Sequence, residues 1–207
     1  MSSIAKELRA RILARRDAMP RKEIERLSLS VQKRLTRQPF YLEASKIMVY
    51  ISFRGEVSTF HLIEEALNQG KRIFAPVTRV RQRLLEIYEI RSLKELKPGA
   101  YGILEPDPAV CPRMEPGTLD LVLVPGSVFS RQCGRYGYGG GFYDRFLSAH
   151  APQAVRTALA FHFQLLDHIP LAPHDELMDY IVTDCETIEC SGSRDRAGTE
   201  VLPVSPA

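Results

Sequence analysis

The sequence predicts a three-layer α/β domain with a mainly parallel sheet, because two strand–helix–strand units follow one another along the chain. The first unit has a strand at residues 46–51, a helix that Ser58 or Thr59 caps and Gly70 ends, and a strand at residues 72–75. A helical crossover makes the two strands it connects parallel neighbours. This unit therefore predicts a parallel pair.

The second unit repeats this order further along the chain. A buried strand at residues 119–124 precedes a helix at about residues 141–148 and a strand at residues 157–161. Between the two units, residues 84–90 form a further strand that suits the edge of a sheet. A last strand near residues 180–183 completes the predicted core.

Two N-terminal helices separated at Pro20 are predicted to pack on this sheet. Apolar residues recur in them at helical spacing: Ile4, Leu8 and Ile12 in the first helix, and Ile24, Leu27, Val31 and Leu35 in the second. Lys6, Arg9 and Arg16 lie near one face of the first helix, and most such basic runs are solvated faces.

Length and composition are those of an ordinary soluble domain, with 207 residues, 44% hydrophobic and 26% charged. We expect one domain at residues 1–190 and a disordered tail at residues 191–207, which lacks apolar periodicity. The net charge of +3 does not indicate nucleic-acid binding, and no membrane span or secretory signal is found. These features predict a cytoplasmic protein that acts on small molecules, without nucleic-acid or membrane partners, and a monomer is expected without a sequence feature that establishes it.

The four cysteines show no paired C-x-x-C spacing, so they indicate neither a zinc site nor a redox pair, and we expect free thiols. They are Cys111, Cys133, Cys185 and Cys190. None of the five histidines forms a ligand pair at helical spacing. The chemistry of the chain must therefore lie elsewhere.

A glycine-rich turn at residues 135–147 is the most informative segment of the chain. Four glycines within five residues permit unusual backbone angles and leave amide hydrogens free to approach an anion. The turn follows a predicted strand and opens into a predicted helix, whose N-terminal amides also favour an anion. The segment therefore predicts a phosphate-binding loop.

The type of phosphate loop is narrowed by what surrounds the glycines. No Gly-Lys-Ser/Thr follows them, and Phe142 stands where a dinucleotide fingerprint that starts at Gly137 requires glycine. Glycines alone also suit a flexible connection. Cations, aromatic rings and a carboxylate beside the glycines favour the phosphate loop instead: Arg135, Tyr138, Tyr143, Asp144 and Arg145.

Glu56 is predicted to share a crevice with this loop, because ligands in open α/β sheets bind beyond the carboxyl ends of the strands. Ile51 and Val124 end two such strands. A carboxylate at Glu56 suits an amidine-like edge, such as the amino and ring nitrogens of a pterin. The alternative is a carboxylate that interacts with the dipole of the following helix, and the spacing alone favours that alternative.

From about Ile4 to Val182 the chain resembles the 5-formyltetrahydrofolate cyclo-ligase family, also called methenyltetrahydrofolate synthetase. The most specific match is the pattern R-x-G-x-G-x-G-F-Y-D at residues 135–144, preceded by residues 124–126 and Phe129. Weaker matches are Leu8-Arg9, Arg15-Arg16, the turn at Glu56, residues 101–106, and Asp175 with Asp179.

The resemblance implies an ATP-dependent ring closure of 5-formyltetrahydrofolate to 5,10-methenyltetrahydrofolate. It implies that ATP contacts Ala5, Lys6, Glu7, Leu8, Arg9, Arg135, Tyr136, Gly137, Tyr138, Gly139, Gly140, Gly141, Phe142 and Tyr143. It implies that the folate contacts Ile51, Glu56, Tyr138, Gly139, Gly140, Gly141 and Phe142, and that Mg²⁺ binds Asp144 and Asp175. Stabilisation of the transferred phosphoryl group is expected from Arg135 and Arg145.

The chain departs from the family pattern at three places. Ala5 stands where the family usually has a lysine, and Lys6 is one position away from it. Phe142 stands where tyrosine is frequent. Asp175 precedes a predicted strand, so it reaches the crevice only if that strand is antiparallel or its loop folds over the sheet edge; Asp179 is the alternative.

Two other classes of protein remain open from the sequence. One is a nucleotide- or folate-binding module that has lost turnover, which the alanine at position 5 favours. The other is an RNA-associated protein that uses the basic N-terminal helices, and it predicts strongly salt-dependent affinity for RNA.

Overall fold

A computed structural model of the protein describes residues 3–190, so the predicted disordered tail lies outside the described residues. Among them, no helix is long and apolar enough to cross a membrane. The α-helices are α1 (Ser3–Asp17), α2 (Arg21–Leu35), α3 (Pro39–Glu43), α4 (Phe60–Asn68) and α5 (Phe142–Ala149).

A central sheet of eight strands has the order β13-β12-β10-β7-β1-β2-β3-β6, and its five inner strands from β12 to β2 are parallel. Two smaller sheets have the orders β11-β8-β9 and β4-β5. The strands are β1 (Lys46–Met48), β2 (Arg72–Arg79), β3 (Leu84–Ile90), β4 (Leu96–Pro98), β5 (Leu104–Pro106), β6 (Arg113–Met114), β7 (Leu121–Val124), β8 (Val128–Ser130), β9 (Arg135–Tyr136), β10 (Val155–Leu159), β11 (Leu165–Leu166), β12 (Tyr180–Val182) and β13 (Thr187–Glu189).

The core lies on both faces of the central sheet, since successive residues of a strand point to opposite sides. Ile47 and Ile73 pack with α2, α3 and α4 in one cluster of buried residues, while Met48 and Phe74 pack with α5 in another. All four side chains are fully buried. The three-layer α/β prediction is therefore confirmed, as are both parallel strand pairs, β1 with β2 and β7 with β10.

The edges of the sheet differ from the prediction. The strand β3 is not an edge strand, because the two-residue strand β6 pairs beyond it. The strand β12 is not the last one, because the chain turns back and β13 pairs with it in antiparallel orientation. Strands of two or three residues contain too few positions to show a period of two, so the sequence pattern missed both.

The N-terminal helices are present, but they pack on different parts of the body. Val31 and Leu35 of α2 are buried against the central sheet. Ala5 and Ile12 of α1 instead pack with Val128 of β8 in the small sheet, and Ile4 is 53% exposed. The stripe predicted for α1 was therefore wrong at Ile4, because α1 turns a partly polar face inward.

A disulfide joins Cys133 and Cys190, across 57 residues of sequence. The expectation of four free thiols was therefore wrong for this pair and holds for Cys111 and Cys185. The strand β13 returns the chain past β12 and brings Cys190 beside the turn between β8 and β9. Two cysteines 57 residues apart are brought together by the tertiary fold, so their pairing leaves no local spacing signal in the sequence.

Candidate active site

A cavity of about 880 Å³ is lined by residues that follow the carboxyl ends of neighbouring parallel strands. Ile51 follows β1 and Pro125 follows β7, and both lie in its wall. Glu56 and the glycine loop line the same cavity, so the crevice predicted from the strand order is present. The predicted site residues in its lining are Ala5, Arg9, Ile51, Glu56, Arg135, Tyr136, Gly137, Tyr138, Gly139, Gly140, Gly141, Phe142, Tyr143, Asp144 and Asp175.

Four of the predicted site residues are not among the residues that line the cavity. Ala5 and Arg9 are one turn apart on α1 and line the cavity, whereas Leu8 packs against the buried cluster of Ala5, Ile12 and Val128 without lining it. Lys6 and Glu7 are exposed. Arg145 is also exposed, and its guanidinium donates to the carbonyl oxygens of Gly140 (2.6 Å) and Arg83 (3.1 Å).

The glycine loop needs left-handed backbone angles at two positions. Gly139 has φ 93° and Gly141 has φ 63°, a region that residues with a Cβ rarely adopt. Gly141 is also the residue that precedes the first turn of α5. The unpaired amides at the start of a helix carry partial positive charge, so the loop and α5 present donors to an anion in the cavity.

Arg135 is a framework residue as well as part of the cavity wall. Its side chain is 2% exposed, and Nη2 donates to Oδ1 of Asp144 at 2.7 Å. Its Nη1 donates to the carbonyl oxygen of Pro125 at 3.2 Å, and Nε has no protein partner. The guanidinium also lies 5.9 Å from the ring centroid of Tyr143. This arginine therefore holds β9, the end of β7 and α5 together.

Arg16 is a site residue that the sequence analysis did not assign. It is 2% exposed, lines the cavity, and donates from Nη1 to the hydroxyl oxygen of Tyr138 at 2.7 Å. The signal available in the sequence was its position near the face of α1 that carries Arg9. Because that face bears charges, it resembles a solvated face, and only the fold places it against the cavity.

Glu56 receives hydrogen bonds from two different segments. The amide of Phe53 donates to Oε2 at 2.9 Å, and the hydroxyl of Tyr138 donates to Oε1. Burial raises the pKa of Glu56, while the bond from Tyr138, the charge of Arg16 and the amide of Phe53 act in the opposite direction. The helix α4 begins at Phe60 and has no acidic residue in its first turn, so the helix-dipole alternative for Glu56 was wrong.

Burial keeps the tyrosines around Glu56 neutral. It raises the pKa of Tyr50, Tyr138 and Tyr143, and the negative charge of Glu56 adds to the increase in all three. Each hydroxyl is therefore available as a hydrogen-bond donor over the whole range in which a carboxyl group titrates.

The predicted metal ligands lie in one cavity but form no closed metal site. Asp144 is paired with Arg135, and Oδ2 of Asp175 accepts from the amide of Ala172 at 2.8 Å. Among residues 3–190 no group of three or more His, Cys, Asp and Glu side chains is placed to hold a metal ion. Two carboxylates are nevertheless a donor set that suits Mg²⁺, which is commonly held by one or two carboxylates together with substrate phosphates.

Asp175 lines the cavity, and of the two routes considered the antiparallel strand is excluded. The strand that follows it, β12, runs parallel to β10. Asp179 is used elsewhere, since its Oδ2 accepts from the amide of Arg156 at 2.8 Å.

The fold and the cavity define a class of protein, an α/β domain with a candidate ligand-binding cavity beyond the carboxyl ends of its parallel strands. Comparison with known proteins identifies the family. A model of the 5-formyltetrahydrofolate cyclo-ligase family matches residues 2–184. The chain therefore belongs to the 5-formyltetrahydrofolate cyclo-ligase family, and the resemblance seen in its sequence is confirmed.

Individual relatives cover most of the chain. A probable 5-formyltetrahydrofolate cyclo-ligase of Caenorhabditis elegans is 28% identical over 91% of this chain and 96% of its own length. The 5-formyltetrahydrofolate cyclo-ligase of Escherichia coli K12 is 29% identical over 86% of this chain and 99% of its own length.

Solved structures agree with this assignment. The NMR structure of 5,10-methenyltetrahydrofolate synthetase from Aquifex aeolicus has a TM-score of 0.80 and 29% identity, and covers 91% of this chain and 93% of the other. A 5,10-methenyltetrahydrofolate synthetase from Mycoplasma pneumoniae has a TM-score of 0.69 at 22% identity and shares the fold.

Proposed function

We propose that the protein converts 5-formyltetrahydrofolate and ATP to 5,10-methenyltetrahydrofolate, ADP and phosphate. The observation that carries the proposal is the meeting of the glycine loop and Glu56 in one cavity. A phosphate-binding loop beside a carboxylate that suits a pterin allows a phosphoryl group to pass directly between the two ligands. The proposal includes a cytoplasmic monomer whose substrates are small molecules.

The phosphates of ATP would lie against the glycine loop and the start of α5. Backbone amides at residues 137–141 supply donors there, and the guanidinium of Arg9 lines the same cavity. Asp144 and Pro125 hold the guanidinium of Arg135 in one orientation, so its remaining N–H groups point in fixed directions. Phosphoryl transfer depends mainly on such alignment and charge stabilisation.

The pterin of the folate would lie against Glu56. A carboxylate accepts two parallel hydrogen bonds from an amino group and the adjacent ring nitrogen, which matches the edge of a pterin. Tyr138 on the glycine loop and Phe142 at the start of α5 offer aromatic faces in the same cavity, and Ile51 adds an apolar contact. Glu56 would fix the orientation of the ring, and the loop would cover it.

The reaction needs no nucleophilic side chain. The formyl oxygen attacks the γ-phosphorus and ADP leaves, so that the formyl carbon carries a phosphate leaving group. The neighbouring anilino nitrogen then attacks this carbon, the C–O bond breaks, and phosphate departs with the proton that this nitrogen loses, which closes the ring as the methenyl product. The protein contributes orientation, exclusion of water and charge stabilisation.

Asp144 and Asp175 would hold Mg²⁺ jointly with the phosphates, and the ion would supply further neutralisation of their charge. Arg145 was expected to stabilise the transferred phosphoryl group directly, but it does not line the cavity, so the proposal gives it an indirect role. Its guanidinium donates to Gly140, so it would act by holding the carbonyl side of the loop while the amides face the phosphates.

Mixing purified protein with 5-formyltetrahydrofolate, ATP and Mg²⁺ tests the proposal. We expect the absorbance of the methenyl product to appear, with one ADP formed for each product molecule. Binding of both ligands without product at high protein concentration would contradict the enzyme and favour a binding module. Affinity for RNA that falls steeply with salt, without product, would favour the RNA-associated class instead.

A further inference from the structure

Three segments far apart in sequence meet at the hydroxyl group of Tyr138. Arg16 on α1 donates to this oxygen at 2.7 Å, and the hydroxyl itself donates to Oε1 of Glu56. The sequence separations are 122 residues from Arg16 to Tyr138 and 82 residues from Glu56 to Tyr138. The result is a continuous line of hydrogen bonds from the helix, through the tip of the glycine loop, to the carboxylate.

The backbone is also shaped around this contact. Gly55, directly before Glu56, has φ 69°, and a Cβ built there would lie 3.4 Å from the carbonyl oxygen and 3.5 Å from Cγ of Arg16. The turn that carries Glu56 therefore packs directly on the segment of α1 that carries Arg16. The left-handed angle favours glycine at this position, and a Cβ there would make ordinary van der Waals contact with Arg16.

Arg16 lies in the wall of the cavity, where its contacts are with Tyr138. It is 2% exposed, one of its donors is used by Tyr138, and its guanidinium carbon lies 5.6 Å from the ring centroid of Tyr138. A buried cation is costly unless it is paired, and the carboxylate of Glu56 is its partner through the tyrosine hydroxyl. The hydrogen bond from Tyr138 and the charge of Arg16 both favour the charged form of Glu56, against the effect of burial on its pKa.

We propose that Arg16 is a positioning residue for folate recognition, which acts through Tyr138 to hold the glycine loop against Glu56 and to keep that carboxylate charged. The inference rests on the proposed function for its link to folate, but the contacts that carry it are independent of any substrate. A carboxylate accepts the two hydrogen bonds of the pterin edge, whereas a neutral carboxyl group has one acceptor oxygen fewer for them.

The titration midpoint of Glu56 also depends on the other charged and titratable side chains around it. Arg16, Tyr138, Tyr50 and Tyr143 interact electrostatically with Glu56, and Asp17 and Arg54 are further charged side chains that line the same cavity. The tyrosines stay neutral in the range in which a carboxyl group titrates, because the ordinary pKa of tyrosine, about 10, already lies above it, and burial raises the pKa of each further. Burial raises the pKa of Glu56 as well, so removing the positive charge of Arg16 moves it further in the same direction.

The first test uses no ligand. The carboxyl carbon of Glu56 is followed by ¹³C NMR against pH, with E56Q to assign the signal, in the wild-type protein, R16K, R16M and the exposed-residue control R11M. We expect the midpoint to move to higher pH in R16M and to stay near the wild-type value in R16K and R11M. The same midpoint in R16M and wild type would overturn the inference.

The Y138F variant is a second test of the inference, and it leaves the sequence of α1 unchanged. It removes the hydroxyl that connects Arg16 to Glu56, so the Glu56 midpoint should again move to higher pH. If R16M does not fold by circular dichroism, Y138F decides the matter, and an unchanged midpoint there would overturn the inference.

Steady-state kinetics then connect the line of hydrogen bonds to folate. In R16M the KM for 5-formyltetrahydrofolate should rise about tenfold at pH 7, the loss of roughly one charge-assisted hydrogen bond, and the difference should shrink toward pH 9 as Glu56 ionises. A rise that is the same at every pH would indicate a merely structural role and overturn the inference. If wild-type protein gives no product while the NMR midpoints move, the proposed function fails and the electrostatic role of Arg16 stands.

Discussion

Arg135 and Asp144 form an ion pair at 2.7 Å that joins the strand before the glycine loop to the helix after it. The side chain of Arg135 is 2% exposed and that of Asp144 is 17% exposed, so water screens the pair little. The two ends of the loop are thus fixed to one another. A loop with unusual backbone angles is held in shape by this pair as well as by its own glycines.

Removing one partner of this pair should destabilise the protein. In R135A the carboxylate of Asp144 loses its cation and the bond to Pro125 is lost, and we expect unfolding free energy to fall by about 3–5 kcal/mol. Urea denaturation measures the change. The control is R21A, which removes an exposed ion pair with Glu25 and should have little effect. Equal stability of R135A and wild type would show that the pair does not hold the loop.

A substitution at Glu56 should separate activity from stability. Burial raises the pKa of this carboxyl group in the folded protein, so its charged form opposes folding above that pKa, and this contribution disappears as the pH falls below the unfolded value. E56Q keeps an oxygen for the amide of Phe53 and removes the charge. We therefore expect E56Q to be at least as stable as wild type at pH 8, with the difference vanishing near pH 4, in urea denaturation at both pH values.

The same variant should bind folate poorly. Loss of a charged acceptor for the pterin edge corresponds to about a 10- to 100-fold decrease in kcat/KM for 5-formyltetrahydrofolate, while the KM for ATP changes little. Stability lost at pH 8 together with unchanged folate kinetics would contradict both parts of this prediction.

The disulfide between Cys133 and Cys190 should contribute to stability, because it closes a loop of 57 residues in the unfolded chain. We expect C190S to lower unfolding free energy by about 2–4 kcal/mol under oxidising conditions. Dithiothreitol should lower wild-type stability to a similar value and leave C190S unchanged. C185S, at an exposed free cysteine, is the control. Identical denaturation curves for wild type with and without the reductant would contradict this role.

The parts of the molecule that sequence reasoning predicted are those with local signals. The glycine loop is a matter of composition over a few positions, and the parallel pairs follow from the alternation of strands and a helix. The role of Arg16 depends on Tyr138, 122 residues away, and the pairing of Cys133 depends on the return of β13. Charges on an inner helix face have the same pattern as charges on an outer one, so only the tertiary fold distinguishes them.

Gly141 and Gly70 have similar backbone angles, but only Gly141 lies in the glycine loop. Alanine substitutions at the two positions therefore separate an effect on ATP binding from the cost of a strained backbone angle. Gly141 in the loop has φ 63°, and Gly70, directly after the α4 helix and its capping residue, has φ 79°. The backbone angle alone should lower unfolding free energy by about 1–2 kcal/mol for alanine at either position, and at Gly141 the Cβ would also displace Nη1 of Arg145, which would lie 2.8 Å away. Only G141A should also raise the KM for ATP, because it changes the direction of amides in the cavity wall. Equal effects of both variants on ATP kinetics would show that the loop does not bind the phosphates.

Arg9 is the cation of α1 that should matter for ATP. It lines the cavity one turn after the buried Ala5, and its guanidinium carbon lies 5.5 Å from the ring centroid of Tyr136. Burial lowers the pKa of Arg9, but arginine stays charged at any pH at which the protein is folded. R9A should therefore raise the KM for ATP about tenfold at every pH between 6 and 9, with R9K in between, because lysine keeps the charge and loses the planar fork.

The matched control for this prediction is R11A, which removes the same side chain from an exposed position of the same helix. It should leave both KM values within about twofold of wild type, since surface substitutions away from a site have small effects. If R9A raises the KM for 5-formyltetrahydrofolate and not that for ATP, the two substrates lie in the cavity in the opposite order. In that case the loop amides would face the folate, and G141A should also raise the KM for 5-formyltetrahydrofolate and not that for ATP. The two variants together therefore show which substrate lies against the glycine loop.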